Sequence, residues 1–279
     1  MVTAHALFVA AENGTFEPTE YARSGWSEDM VNGPALVGLA AWSLEREFEA
    51  VGFRAVRFTA DLFRAARKLP TGVRTRMVRD GRRIRINECE LLQNGVAVAR
   101  ATMVQFRASG PPPGREWVGP EPDFSPPTMV DICPDAYLVG SDDAGWSSSV
   151  GLDDGVTAHQ NASRKRVYHS IAEVVAGNPA TPFVRAVVAA EATSLVTNLG
   201  TKGIGYINAD LTVALSRPPV GDHIGLQADS HWCAEGISVG SATLFDDLGP
   251  FGLGMVTALA NPAAQIEFGR LKPSPALNV

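Results

Sequence analysis

Glu191 is the only acid in the apolar run from Thr181 to Val196, and it is set among Ala189, Ala190 and Ala192. Thr181-Pro182 reads as a helix start, with a hydroxyl to cap an orphan N–H and a ring that presets φ. The residues beyond it are apolar almost all round, the composition of a helix wrapped by other structure. Arg185, the nearest charge, lies six residues back and off the same helical face. An unpaired carboxylate in such surroundings costs several kcal/mol, on the order of 2–7, or takes up a proton. Either the helix breaks the surface at Glu191, or the carboxylate serves a site as a base held near neutrality.

Other polar residues could join it. Asn32-Gly33-Pro34 opens a second apolar helix, where free backbone N–H groups face developing negative charge and glycine admits a ligand. A plain cap is the competing reading. In the strand pattern Ile204–Leu215, Ile207, Ala209, Leu211, Val213 and Leu215 share one face; Asn208, Asp210 and Thr212 share the other. If the apolar face holds the helix, Asn208 points away from Glu191 unless a bulge intervenes. Asp210 is then either a functional acid or a solvated strand residue. Ser230-His231 cannot form a catalytic dyad, because neighbours on a strand point to opposite faces. His5, His159, His169 and His223 show no metal spacing. Cys89, Cys133 and Cys233 form neither a metal pattern nor a disulfide framework.

The bulk numbers exclude several classes. The 279 residues can bury a full core. No apolar run reaches the roughly 18–20 residues of a membrane span. Met1-Val2-Thr3-Ala4-His5 lacks the basic and apolar regions of a secretion signal, so a cytoplasmic location is expected. The net charge of −6 splits unevenly: 15 Lys/Arg against 12 Asp/Glu up to Gly110, then 9 against 18. Arginines crowd between Arg64 and Arg85, as a phosphate footprint or as a solvated strand face. Nucleic acid is excluded as a partner by the acidic whole and by the lack of interleaved aromatics.

The elements that must position these residues repeat. Short strands around Asn13-Gly14 precede the helix Ala35–Glu45, whose charged end should be wet. Period-two strands follow at Val56–Leu62, Val73–Val78, Arg82–Leu92 and Val96–Phe106, with Asp80-Gly81 and Asn94-Gly95 as hairpin turns. A proline-rich linker spans 110–135. Beyond it come strands near Trp146–Val150 and Arg164–Val175, the Thr181 helix, then strands at Ile204–Leu215, Ile224–Trp232, Ile237–Phe245 and Phe251–Leu259. Thr59-Ala60-Asp61-Leu62 recurs as Asn208-Ala209-Asp210-Leu211. The expected organisation is an N-terminal unit (1–109), the linker, a C-terminal unit (136–270) and a tail (271–279). The fold class is α+β. There is no G-x-G-x-x-G and no phosphate-binding P-loop.

Three stretches carry a family resemblance. They are Val31-Asn32-Gly33-Pro34-Ala35; Val78-Arg79-Asp80-Gly81-Arg82-Arg83-Ile84 with Glu90-Leu91-Leu92; and Gly205–Val213 followed by Arg217-Pro218-Pro219-Val220-Gly221 and Phe245-Asp246-Asp247-Leu248-Gly249. In these the chain resembles the acyl-CoA thioesterase II (TesB-like) family. The resemblance implies a double hotdog, two antiparallel sheets each wrapping one long central helix, with the acyl chain between the halves. It implies hydrolysis of an acyl-CoA thioester by a water held by an aspartate, a threonine and a glutamine, with no cofactor. Those three positions fall on Glu191, Asn208 and Thr257, all of them substitutions. A histidine-glycine pair is replaced by Asn32-Gly33. Asn32, Gly33, Asp210 and Arg217 are the candidate substrate-binding residues. The alternatives are a non-catalytic acyl-CoA binder on the same scaffold and, last, an enoyl-CoA hydratase, whose Asp-His pair is missing at both helix starts. A homo-oligomer is expected.

Overall fold

A computed structural model of the chain describes residues 6–119, 123–127, 137–149, 152–171 and 173–268. In the first part, β1 (Ala6–Ala10) and β2 (Phe16–Pro18) precede α1 (Gly33–Glu47). A meander follows, of β3 (Phe53–Leu62), β4 (Gly72–Asp80), β5 (Ile84–Gln93) and β6 (Val96–Arg107). The second part opens with β7 (Tyr137–Ser141), β8 (Gly145–Ser149), α2 (Leu152–Thr157), β9 (Lys165–Ser170) and β10 (Glu173–Val175). Then come α3 (Pro182–Ala190), α4 (Thr193–Asn198), and the short strands β11 (Leu199–Gly200), β12 (Gly203–Ile204) and β13 (Tyr206–Asn208). The last strands are β14 (Asp210–Leu215), β15 (His223–Ala234), β16 (Ile237–Asp246) and β17 (Gly249–Ala260).

The expected two sheets are one. Twelve strands form a continuous sheet in the order β4-β5-β6-β3-β14-β17-β16-β15-β9-β7-β8, with β13 added on β17. The seam is the antiparallel pair β3–β14, which sets Asp61 opposite Asp210 and Thr59 opposite Thr212. The two tetrapeptides that recur in the sequence are therefore neighbours across the seam. Like charges directly opposite are destabilising, and each aspartate is answered locally: Asp61 by Arg100 at 3.0 Å, Asp210 by Thr257. A small second sheet ties the parts again, because β1 pairs in parallel with β10.

Both long helices start as their sequences dictate. Asn32 Oδ1 accepts from Ala35 N at 2.9 Å, and Thr181 Oγ1 accepts from Val184 N at 3.2 Å. The helices run antiparallel: Thr181, at the start of α3, donates its hydroxyl to Glu45 near the end of α1, while Gly33 at the start of α1 meets Glu191 at the end of α3. Arg46, Glu47 and Glu49 are exposed as expected; Glu45 is not, because it holds Thr181. Leu36, Leu39, Leu44 and Phe58 of the first half share one core with Val184, Val187, Leu211 and Leu244 of the second. Each such side chain contributes about 1.5–3 kcal/mol by leaving water.

The run Thr181–Val196 is not one helix. It breaks at Glu191-Ala192, where the N–H of Glu191 bonds to Ala189 O and α4 sets off afresh. The sheet allows this, since α4 lies directly on glycines: a Cβ on Gly240 would sit 2.5 Å from Thr197 Cβ, and one on Gly254 would collide with the Thr193 hydroxyl.

The Asn94-Gly95 turn has the left-handed geometry expected of it, with φ of 51° and 76°. Asp80-Gly81 does not; that hairpin closes through Gly81 N to Ile84 O at 3.1 Å. The described linker residues, 110–119 and 123–127, carry no regular secondary structure. The rest of the linker, Cys133, Met1–His5 and the tail 271–279 lie outside the described residues.

Candidate active site

The break between α3 and α4 delivers Glu191 to the junction of the two halves. Its carboxylate lies against Gly33, so close that a Cβ built there would sit 2.6 Å from the carboxyl carbon. Asn208 Nδ2 donates to Glu191 Oε1 at 3.2 Å. Glu191, Gly33 and Asn208 all keep part of their surface open, although Glu191 is surrounded by protein. The three meet at a partly open place between the halves. Burial pushes the Glu191 carboxyl up to about 7, and the Asn208 hydrogen bond draws it partly back.

Asn208 reaches Glu191 because a bulge intervenes. Along β13 the pairing is Asn208 with Ala258, but along β14 it is Thr212 with Met255, one residue out of step. The extra residue is Ala209, whose N–H bonds to Thr257 O and whose carbonyl accepts from Leu62 N. It reverses the faces upstream: Ile207 and Ala209, expected inside, are exposed, and Asn208 turns inward.

Tyr137, the first residue of β7, lies within range of the Glu191 charge, and no signal in the sequence marked it. Its ring leans on His169 with centroids 4.8 Å apart. Its hydroxyl pKa is raised by burial and by the Glu191 charge. No hydrogen bond engages that hydroxyl among the described residues.

The other candidates lie elsewhere. Thr257 does not face Glu191: its N–H and hydroxyl both bond to Asp210, with Thr257 N to Oδ1 at 3.0 Å. Both residues alternate onto the outer face, with Leu253 and Met255, so Asp210 is structural too. The residue opposite Asn208 on the last strand is Ala258, 4% exposed. A shift of one position along a strand moves a side chain to the other face, so Thr257 and Ala258 point to opposite sides of the sheet.

Asn32 is a cap. Its Nδ2 also bonds to Tyr21 O and Arg23 O at 3.1 and 3.2 Å, which uses the whole amide. Arg217 lies at the far end of β14 and grips Asp246 with two bonds, of 2.5 and 2.8 Å. Of the substrate-binding candidates, only Gly33 lies against Glu191.

The arginines divide as well. Arg74 with Glu90 and Arg76 with Glu88 are cross-strand pairs on an exposed face, the solvated reading. Among the described residues no cluster of His, Cys, Asp or Glu has the arrangement of a metal site, and no helix is long and apolar enough to cross a membrane.

Residues 22–106 match the acyl-CoA thioesterase N-terminal domain, and residues 130–259 match the acyl-CoA thioesterase C-terminal domain. Among solved structures, a putative thioesterase II from Thermobifida fusca YX superposes with a TM-score of 0.67 at 16% identity, covering 94% of this chain and 99% of that one. A TesB protein of Mycobacterium avium subsp. paratuberculosis gives 0.64 at 12% identity, covering 91% and 96%. A protein with a hot dog fold from Alicyclobacillus acidocaldarius gives 0.64 at 15% identity, covering 93% and 97%. At these identities the likeness is one of fold, and the fold is the α+β hotdog. A comparison with curated protein sequences finds no match.

Proposed function

This chain belongs to the TesB-like acyl-CoA thioesterase family, and we propose that it hydrolyses an acyl-CoA thioester to a free acid and CoA, with Glu191 as the base. In this reading each half is one hotdog and the acyl chain lies where the halves meet. A water is bound by the other oxygen of Glu191, whose carboxylate Asn208 holds in place. Glu191 takes its proton as the oxygen attacks the thioester carbonyl; the tetrahedral oxyanion then collapses, the C–S bond breaks, and the thiolate leaves with that proton. The Gly33 N–H, at the positive end of the α1 dipole, is one donor to the oxyanion. The Tyr137 hydroxyl is a second donor, in a site where the resemblance puts Thr257 in place of the family's glutamine and that side chain is committed to Asp210. No cofactor enters.

The observation that carries this reading is a buried carboxylate, its pKa raised to about 7, that is hydrogen-bonded to an amide and faces a residue without a side chain. Steady-state assays over acyl chain lengths test it, with Glu191→Gln as the control. Turnover by the wild type no faster than by that variant ends the enzyme reading.

A second reading, a non-catalytic acyl-CoA binder, is favoured by Ala258 opposite Asn208 and by the commitment of Thr257 to Asp210. Retained acyl-CoA affinity without turnover selects it. In either case a homo-oligomer fits the outer face of β15–β17, which exposes Trp232, Ile237 and Leu259.

A further inference from the structure

Beyond α1, the inner face of the first half ends in positive charge. Along β5 and β6 the helix-facing side chains are apolar or neutral up to the Asn87–Gln105 pair, joined at 3.0 Å. One step further on the same faces stand Arg85 and Arg107. Both guanidinium groups lie over the ring of Phe53, at 5.4 and 4.5 Å from its centroid. Together with Arg82, Asp80 and Val51 they line a cleft of about 340 Å³.

The charges in this cleft do not cancel. Asp80 is the only carboxylate lining it, and it takes the Nε of Arg85 at 2.8 Å. The Nε of Arg107 donates to the Arg82 carbonyl at 2.9 Å, a neutral acceptor that orients the group without discharging it. The terminal nitrogens of Arg85 and Arg107 and the whole Arg82 guanidinium have no hydrogen-bond partner among the described residues. This differs from Arg74 and Arg76 on the outer face, each matched by its own glutamate. Arginine held flat by an aromatic ring, with its fork free, is the preferred receptor for phosphate oxygens. The cleft also lies at the opposite end of α1 from Gly33 and Glu191, roughly 22 Å away for 15 residues at about 1.5 Å each.

We propose that Arg82, Arg85 and Arg107 form a binding site for a phosphate-class anion, separate from the Glu191 site. A free phosphate and the phosphates of CoA share this chemistry. The site does not depend on the hydrolase reading, since binding is measured without turnover.

The test is calorimetric titration of the full chain with inorganic phosphate, CoA and dephospho-CoA at low and high salt. Arg82→Gln, Arg85→Gln and Arg107→Gln are the test variants, and Arg74→Gln is the control. At least one probe should bind more weakly as salt rises, and each cleft variant should lose tenfold or more of that affinity while Arg74→Gln stays within twofold. Loss with CoA but not dephospho-CoA assigns the 3′-phosphate; equal loss with both assigns the diphosphate; loss with phosphate alone assigns a free anion. Arg82→Gln changes an exposed side chain that supports no other contact, so it stays informative if the Arg107 variant unfolds. Wild-type affinity in the Arg82 and Arg85 variants, or no binding of any probe, overturns the proposal.

Discussion

Gly33 has no side chain in the place where Glu191 holds its carboxylate. These two residues begin one helix and end the other, and their contact is possible only because the helices run antiparallel across the seam of the sheet. Gly33→Ala tests the contact. A methyl 2.6 Å from the carboxyl carbon and 3.3 Å from Cγ must displace the acid from Asn208. Overpacking of this kind costs about 1–3 kcal/mol. Thermal unfolding should show that loss, and thioesterase turnover should fall at least about tenfold.

The Glu191 carboxyl titrates at about 7 in the fold, against an ordinary 4.5, with burial as the cause. The folded chain therefore holds a proton that the unfolded chain releases. The stabilisation is fully present below pH 4.5 and is lost as pH rises through about 7, by at most about 3 kcal/mol. Denaturant titrations of wild type and Glu191→Gln across pH 4–8 should converge at low pH and separate above it, with the variant the more stable.

Turnover should run the other way, because the base must be ionised. It should rise with pH through about 7, and Glu191→Gln should remove roughly 10²–10⁴-fold together with that limb. Asn208→Ala removes the bond that lowers the Glu191 pKa. Its pH–rate limb should move upward.

Thr257→Val separates the structural placement from the family-based one. The hydroxyl bonds to Asp210 on the outer face, so stability should drop by about 1–2 kcal/mol while kcat stays within twofold. A large loss of kcat at normal stability would place Thr257 in the site after all.

Arg217→Ala should likewise be a stability variant. The Asp246 side chain is fully buried and is held by Arg217 and by the N–H groups of Val220 and Leu248. Removing the guanidinium strands a buried charge, at a cost of about 2–3 kcal/mol. KM for acyl-CoA should not change.

Much of the arrangement was legible in the chain itself. Period-two alternation located the β3–β6 meander, and Asn32-Gly33-Pro34 and Thr181-Pro182 located both helix starts, because these signals are local preferences of the backbone. Glu191 was legible for a related reason: a charge in an apolar helix conflicts with its surroundings wherever the chain folds.

The tertiary structure alone decided which residues Glu191 meets. Alternation turned Asn208 away from Glu191 unless a bulge intervened, and one extra residue, Ala209, supplies that bulge. Thr257 proved to be bonded to Asp210 on the outer face, and Tyr137 sits beside a linker with no pattern at all. Spacing along the chain cannot register a bulge, a helix break over glycines or a pairing between distant strands, since each is fixed by contacts among segments far apart in sequence. The types of residue were determined by the sequence; which of them meet was determined by how the two halves close on each other.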